Sequence, residues 1–424
     1  MRAFVSLALA CSLLIGGCSE RRPGFASPPA PDAETDGSLE PDPSRDGGQD
    51  GSSNETCSGR PVGAFALDPE ARRGQIHPEA RFDGDTLFVV YNLPDEGSML
   101  DVYLRRFDCS GAPLGERERV NTIDNVGETD PTLAITDEGV MIAWIQDNSA
   151  ASPTNLRTFF RRMDRDGTFV DAAEQRLETR RNGQGVNGNH LGVHLLALPD
   201  GEFLFSGARG HTESNVFQAY AQRLRFSGEV MGDALEPVVE RDEAQLDVVA
   251  ASTGGSLWLA YQRGTQAFNT DLTGSGEPSP LFPGAGESTN PSLVADRQTD
   301  RIYAAAAWNP DGDQDIHLTV AGVGSAVRLA NPGFEFGPVL SPSEDGGGVV
   351  AYFSRDQNGT RVQVARFTEQ ATAVGTPVPI GNATAAPYLP TLTQVGADVW
   401  FVAWVERNGR DLILFGEFVE LPSP

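Results

Sequence analysis

Between His77 and Leu421 the apolar positions fall into short runs, several of them alternating with polar residues, and Gly, Asp and Pro separate the runs. Runs of roughly four to eight residues bounded in this way predict strands rather than helices. One grammar recurs seven times at a spacing of about 45–50 residues. An apolar strand, often opening at Pro, meets a Gly or Asp turn. A strongly apolar strand carrying an aromatic follows, then a polar loop, a third strand, a Gly turn and a short fourth strand. Unit one reads Pro78–Phe82, Thr86–Tyr91, Val102–Phe107 and Gly115–Val120; unit two reads Pro131–Ile135, Val140–Trp144, Thr158–Met163 and Phe169–Leu177. Unit three places its fourth strand at Leu235–Val239, and unit four is weak after Leu257–Tyr261. Repeats of this length and content predict an all-β, seven-bladed β-propeller.

Unit seven ends with Leu412–Val419 and lacks a fourth strand, while Val62–Leu67 is a strand of the right kind with no partner. Pairing the two would close the ring and remove its exposed edges. The second strands carry Tyr91, Trp144, Phe205, Tyr261, Trp308, Tyr352 and Trp404. Large side chains at one position in every unit are expected to fill the wedge between blades rather than stack on a sugar. Arg106, Arg162, Arg223 and Arg366 end third strands and are expected to bond acidic turn residues.

Ahead of the repeats, Ala3 to Ile15 is apolar and too short to span a bilayer as a helix. Gly16 and Gly17 then precede Cys18. This ending resembles the lipobox of bacterial lipoproteins, which implies cleavage before Cys18, acylation of its thiol and, with Ser19 following, delivery to the outer membrane. Residues 18–56 are rich in Pro, Gly, Ser and Asp and cannot bury enough surface to fold. They read as a flexible acidic tether with a reach on the order of 35 Å. The expected division is signal peptide 1–17, tether 18–56 and propeller 57–424.

The net charge of -27 makes nucleic acid and anionic headgroups improbable partners, so membrane contact is expected through the lipid. No Lys occurs, which excludes Schiff-base chemistry and a phosphate loop. With Cys11 in the signal and Cys18 lipidated, Cys57 and Cys109 remain as an even pair in an exported context, and a disulfide is the default reading. Two cysteines without clustered histidines make no zinc site.

The strings Pro131-Thr132-Leu133-Ala134, Gly139 to Trp144 and Leu104 to Gly111 resemble the repeat of exported sialidase-like propellers of the BNR type. That resemblance covers most of residues 60–421 and implies the propeller fold. The family's Asp box has its nearest string in Ser343-Glu344-Asp345-Gly346-Gly347, which falls between a first and a second strand and lacks the terminal Trp.

His77, Asp130, Asp247 and Asn290 stand at the starts of first strands, with His190 nearby. In a propeller these positions ring one mouth of the axial channel, where carboxylates and imidazoles could bind a ligand or carry protons. Asp311, Asp313 and Asp315 alternate in the manner of a calcium loop, without a Glu at its last position. No other catalytic or cofactor signature is present. The leading expectation is a lipid-anchored envelope module that binds a protein or polysaccharide. The alternative is a glycoside hydrolase or lyase using the channel mouth.

Overall fold

The computed structural model describes residues 60–421 apart from 72–73, 95–98, 125, 148–155, 187–188, 211–216, 237–244, 263, 269–278, 283–286, 297, 310–313, 324, 330–332, 358 and 383–387. Seven antiparallel sheets follow one another along the chain, and the first six are laid down strand by strand from the inner to the outer edge. Blade 1 comprises Ile76–Phe82, Thr86–Pro94, Leu100–Asp108 and Glu118–Arg119. Blade 2 comprises Gly127–Thr136, Gly139–Asp147, Leu156–Met163 and Gln175–Arg176. Blade 3 has His190–Ala197, Phe203–Gly210, Phe217–Leu224 and Val230–Leu235. Blade 4 has three described strands, Val249–Ser252, Leu257–Tyr261 and Gly264–Phe268. Blade 5 has Glu287–Asp296, Arg301–Asn309, Asp315–Val320 and Ala326–Arg328. Blade 6 has Phe334–Pro342, Gly348–Asp356, Gly359–Phe367 and Ala373–Ile380. Blade 7 has Tyr388–Gly396, Val399–Asn408 and Asp411–Glu420.

The first strand of each blade contacts the first strand of the next, from blade 1 round to blade 7 and back to blade 1. A closed seven-bladed β-propeller results, with the first strands around the axis. Its fourth outer strand in blade 7 is Phe65–Ala66, paired antiparallel with Gly416 and Phe415. Phe65 stacks on Phe418, and Leu67 N–H donates to the Leu414 carbonyl at 3.0 Å. Asp68, fully buried, completes the closure: it accepts from Tyr91 Oη at 2.7 Å and from Arg105 and Arg117 at 3.1 Å.

The fourth strand described for blade 3 is Val230–Leu235, which the Gly228 turn sets directly after the third strand; of the expected Leu235–Val239, residues 237–239 lie outside the described residues. An unanticipated hairpin, Thr179–Arg181 with Gln184–Val186, lies between blades 2 and 3. It attaches to blade 3 through Arg180 N–H to Gln222 Oε1 at 3.0 Å and Gly183 N–H to Asp233 Oδ1 at 2.7 Å.

The core is a series of seams between neighbouring blades. The second strands run through these seams and bury their aromatics there. Trp144, Tyr91, Phe205, Tyr352 and Trp404 are all nearly or fully inaccessible. Trp308 is half-buried and packs on Phe282 and His317. Aromatic burial of this kind serves packing, not stacking on a sugar.

Three of the four third-strand arginines tie the seams at the opposite rim from the first-strand starts, while Arg223 pairs with Asp200 and Glu202 of its own blade. Arg106 pairs with Glu118 at 3.0 Å and donates to the Asp166 carbonyl in the next blade at 3.2 Å. Arg162 pairs with Asp171 and donates to the Phe226 carbonyl at 2.8 Å. Arg366 reaches Asp398 at 3.0 Å and the Leu421 carbonyl at 2.8 Å. Each of these three therefore joins its own blade to the one that follows.

Candidate functional site

The first strands share a kink near their starts. In six blades the register slips by one residue there, between Ile76 and Glu79, Thr129 and Thr132, Leu191 and Val193, Thr289 and Ser292, Phe336 and Val339, and Tyr388 and Thr391. These are β-bulges, which bend a strand and re-aim its side chains. In blades 1, 2, 3, 5 and 6 the bulged residue takes a left-handed conformation: φ is 50° at His77, 52° at Asp130, 51° at Gly192, 50° at Asn290 and 61° at Gly337. Asp247, ahead of the first strand of blade 4, has φ 55°. Only Gly, Asn, Asp and His visit this region with any ease, so the backbone itself selects these types. Pro follows at 78, 131, 291 and 338, where an inner-edge strand needs no N–H for pairing.

Four of the five residues singled out from the sequence thus come from equivalent positions in blades 1, 2, 4 and 5, and the structure brings them into one arc. His77 Nδ1 lies 3.5 Å from Asp130 Oδ1. Asp247 accepts a hydrogen bond from the backbone N–H of Asn290 and feels the charge of Asp130. Solvent reaches Asp247 although protein surrounds it, as expected for a wall residue of an axial channel. Burial pushes its carboxyl above the ordinary range; the Asn290 N–H opposes this and the Asp130 charge adds to it. Between Asp130 and Asp247 stands Gly192, where an added Cβ would meet nothing within 4 Å. The arc therefore has an open notch flanked by two carboxylates.

His190 does not belong to this arc. It sits two residues before the bulge, buried between blades 2 and 3, with Nδ1 at 2.8 Å from Thr158 Oγ1 and its ring 5.2 Å from Tyr220. Burial, aided by the charges of Arg209, Arg157 and Arg176, lowers its pKa to about 3, so it is a neutral packing group. The same offset in other blades carries Gln75, Gln245 and Glu335. Their side-chain oxygens accept from Leu414, Ala219 and Ile316 N–H, each in the third strand of the preceding blade, at 2.6, 2.9 and 3.1 Å. Position −2 from the bulge is a connector between blades, and His190 fills that role.

At the seam between blades 1 and 2 the connector is different. Asn121 Oδ1 takes the third-strand donor, Val102 N–H, at 2.9 Å. Glu128, at the connector position, is fully buried, and among the described residues no other residue supplies a hydrogen bond to either carboxyl oxygen. Burial and the neighbouring Asp101 charge push its pKa up to about 9.

A second layer lies two residues further along the first strands. Arg81 pairs with Glu79, whose carboxyl is raised chiefly by burial and also bonds Thr132. The Thr132 hydroxyl accepts from Leu195 N–H at 3.2 Å. His194, neutral with its pKa lowered to about 3, lies close enough to feel Arg81. Sequence reasoning missed Glu79, Arg81, His194 and Glu128. Aligning the units on their bulge residues would have placed Glu79 and His194 at one offset and Glu128 at another.

Asp315 is buried and paired with Arg328 at 2.7 Å; Asp311 and Asp313 lie outside the described residues. Cys109 occupies the turn after the third strand of blade 1, and Cys18 and Cys57 lie outside the described residues.

No family model and no curated protein matches the chain. Solved structures match at the level of fold. A protein of unknown function from Dyadobacter fermentans is 12% identical over 86% of this chain and 99% of its own, with a TM-score of 0.52. The polysaccharide lyase Uly1 is 12% identical over 81% of this chain and 90% of its own, with a TM-score of 0.53. The β-propeller domain of the Trilobed protease from Pyrococcus furiosus, described as having an open velcro topology, is 11% identical over 85% and 97%, with a TM-score of 0.50.

Proposed function

We propose that this protein is a lipid-anchored propeller of the bacterial cell envelope that binds and hydrolyses a saccharide at its channel mouth. The observation that carries the reading is the convergence of Asp130, Asp247, His77 and Asn290, drawn from four blades, around the open notch at Gly192. A carboxyl held above its ordinary pKa beside a second carboxylate is the division of labour that glycoside hydrolysis uses. Asp247 would protonate the departing glycosidic oxygen as the bond to the anomeric carbon breaks. Water would add to that carbon and pass its proton to Asp130. The fold shared with a polysaccharide lyase makes polysaccharides the first class to screen.

Asp247→Asn and Asp130→Asn both keep a residue type that tolerates positive φ, so the fold should survive. Each is expected to lower turnover of a responsive glycan by roughly 10²-fold or more. Unchanged turnover in both variants would rule out this chemistry. A non-catalytic binding module is the second reading. It is favoured by the bulge geometry, which selects His, Asp, Asn and Gly on conformational grounds alone. Glycan binding without turnover, insensitive to both substitutions, would establish it.

The lipid anchor rests on the Leu14 to Cys18 string, and Cys18→Ala should abolish palmitate incorporation. A Cys57–Cys109 disulfide is supported by Arg60, whose Nε donates to the Cys109 carbonyl at 3.2 Å and brings the chain three residues beyond Cys57 to that turn. Such a bond would constrain a loop of about 50 residues and contribute roughly 4 kcal/mol by chain entropy.

A further inference from the structure

The amide of Asn92 is fully buried at the outer end of the second strand of blade 1. Its Nδ2 donates to two backbone carbonyls, Asp101 O at 3.3 Å in its own blade and Glu128 O at 3.1 Å in the next. Turned over, the amide would set its oxygen against both carbonyls and lose both bonds, so the orientation is fixed. Oδ1 then faces His77 Nδ1 at 3.4 Å. Thr129 Oγ1 lies 3.4 Å from the same nitrogen, and Asp130 Oδ1 lies 3.5 Å from it. Three oxygens surround Nδ1, and the amide oxygen and the carboxylate can only accept. His77 Nε2 has no hydrogen-bond partner among the described residues, and the side chain is one-third exposed, at 33%.

We infer that Asn92 is a positioning residue that holds neutral His77 in its Nδ1–H tautomer, leaving the Nε2 lone pair as the proton acceptor of the channel mouth. An imidazole in the other tautomer would set a lone pair against an amide oxygen and a carboxylate and would offer the channel a donor instead. The second nitrogen's partner thus decides which nitrogen faces a ligand. The inference rests on the proposed role of the mouth only in giving that lone pair a use; the tautomer itself is a property of the unliganded protein.

The chain has five histidines, so nitrogen and carbon NMR of protein with labelled histidine can resolve the ring signals, with His77→Gln assigning the one that matters. The expected wild-type spectrum at a pH where His77 is neutral shows Nδ1 protonated. An Nε2-protonated ring overturns the inference. Asn92→Leu should move the population toward the Nε2–H form, and an unchanged population overturns the assignment to Asn92. Where that variant does not fold, Asn92→Ser removes the facing amide oxygen while keeping a small polar side chain and should move the population the same way; an unchanged population overturns the contact. Glycan turnover does not enter these readouts. Loss of the hydrolase reading leaves the tautomer standing, and a wrong tautomer leaves the Asp130 and Asp247 variants as a separate test.

Discussion

At the scale of single residues, the polar groups of this propeller divide by position relative to the bulge. Two residues before it they connect blades, at it they face the mouth, and two after it Thr132, Ser292 and Thr391 accept N–H groups of the next blade. Glu128 is the exception, a connector whose task Asn121 performs. With a folded pKa near 9 it is protonated in the folded chain at neutral pH and ionised in the unfolded chain above about 4.5. Unfolding then releases a proton, so this group costs stability increasingly as pH rises between those values. Glu128→Gln is expected to raise the melting temperature little at pH 5 and more at pH 8, by up to a few kcal/mol in free energy. A gain that does not grow with pH would show that Glu128 is ionised in the folded protein. In the sequence only the offset from the bulge residue marks Glu128, because the charges that act on it, Asp101 and Arg119, meet it across a seam.

At the scale of strands, the period of the apolar runs and the turn residues made six of the seven blades legible. Blade 4 was weak after Leu257–Tyr261; among the described residues it has three short strands and an isolated bridge between Thr265 and Ser279. The bulges were not read from the sequence: their trace is the Pro after His77, Asp130 and Asn290, and in blade 3, where Val193 follows Gly192, His190 was grouped with the strand starts instead. The positive φ makes a prediction. Asn290→Gly should be close to neutral, whereas Asn290→Val forces a β-branched residue into a left-handed conformation and should destabilise by about 1–3 kcal/mol. Equal stabilities by urea denaturation would mean that the bulge relaxes.

At the scale of the whole molecule, closure decides stability. Phe65–Ala66 supplies the missing outer strand of blade 7, and Asp68 binds Tyr91, Arg105 and Arg117 of blade 1. Removing residues 57–68 should lower the melting temperature of the entire propeller in one transition, because the last seam loses both its strand and its buried ion pairs. Asp68→Ala alone should cost about 3–5 kcal/mol by leaving two arginines without their buried partner. An unchanged melting temperature in the deletion would mean that the ring is held without its closing strand. The sequence by itself determined the all-β class, the number of blades, their order and the closing strand, since each follows from local periodicity and one unmatched strand. Only the tertiary structure decided which side chains share the mouth. Neighbours there are set by a one-residue bulge and by contacts between strands some 50 residues apart, neither of which leaves a periodic trace.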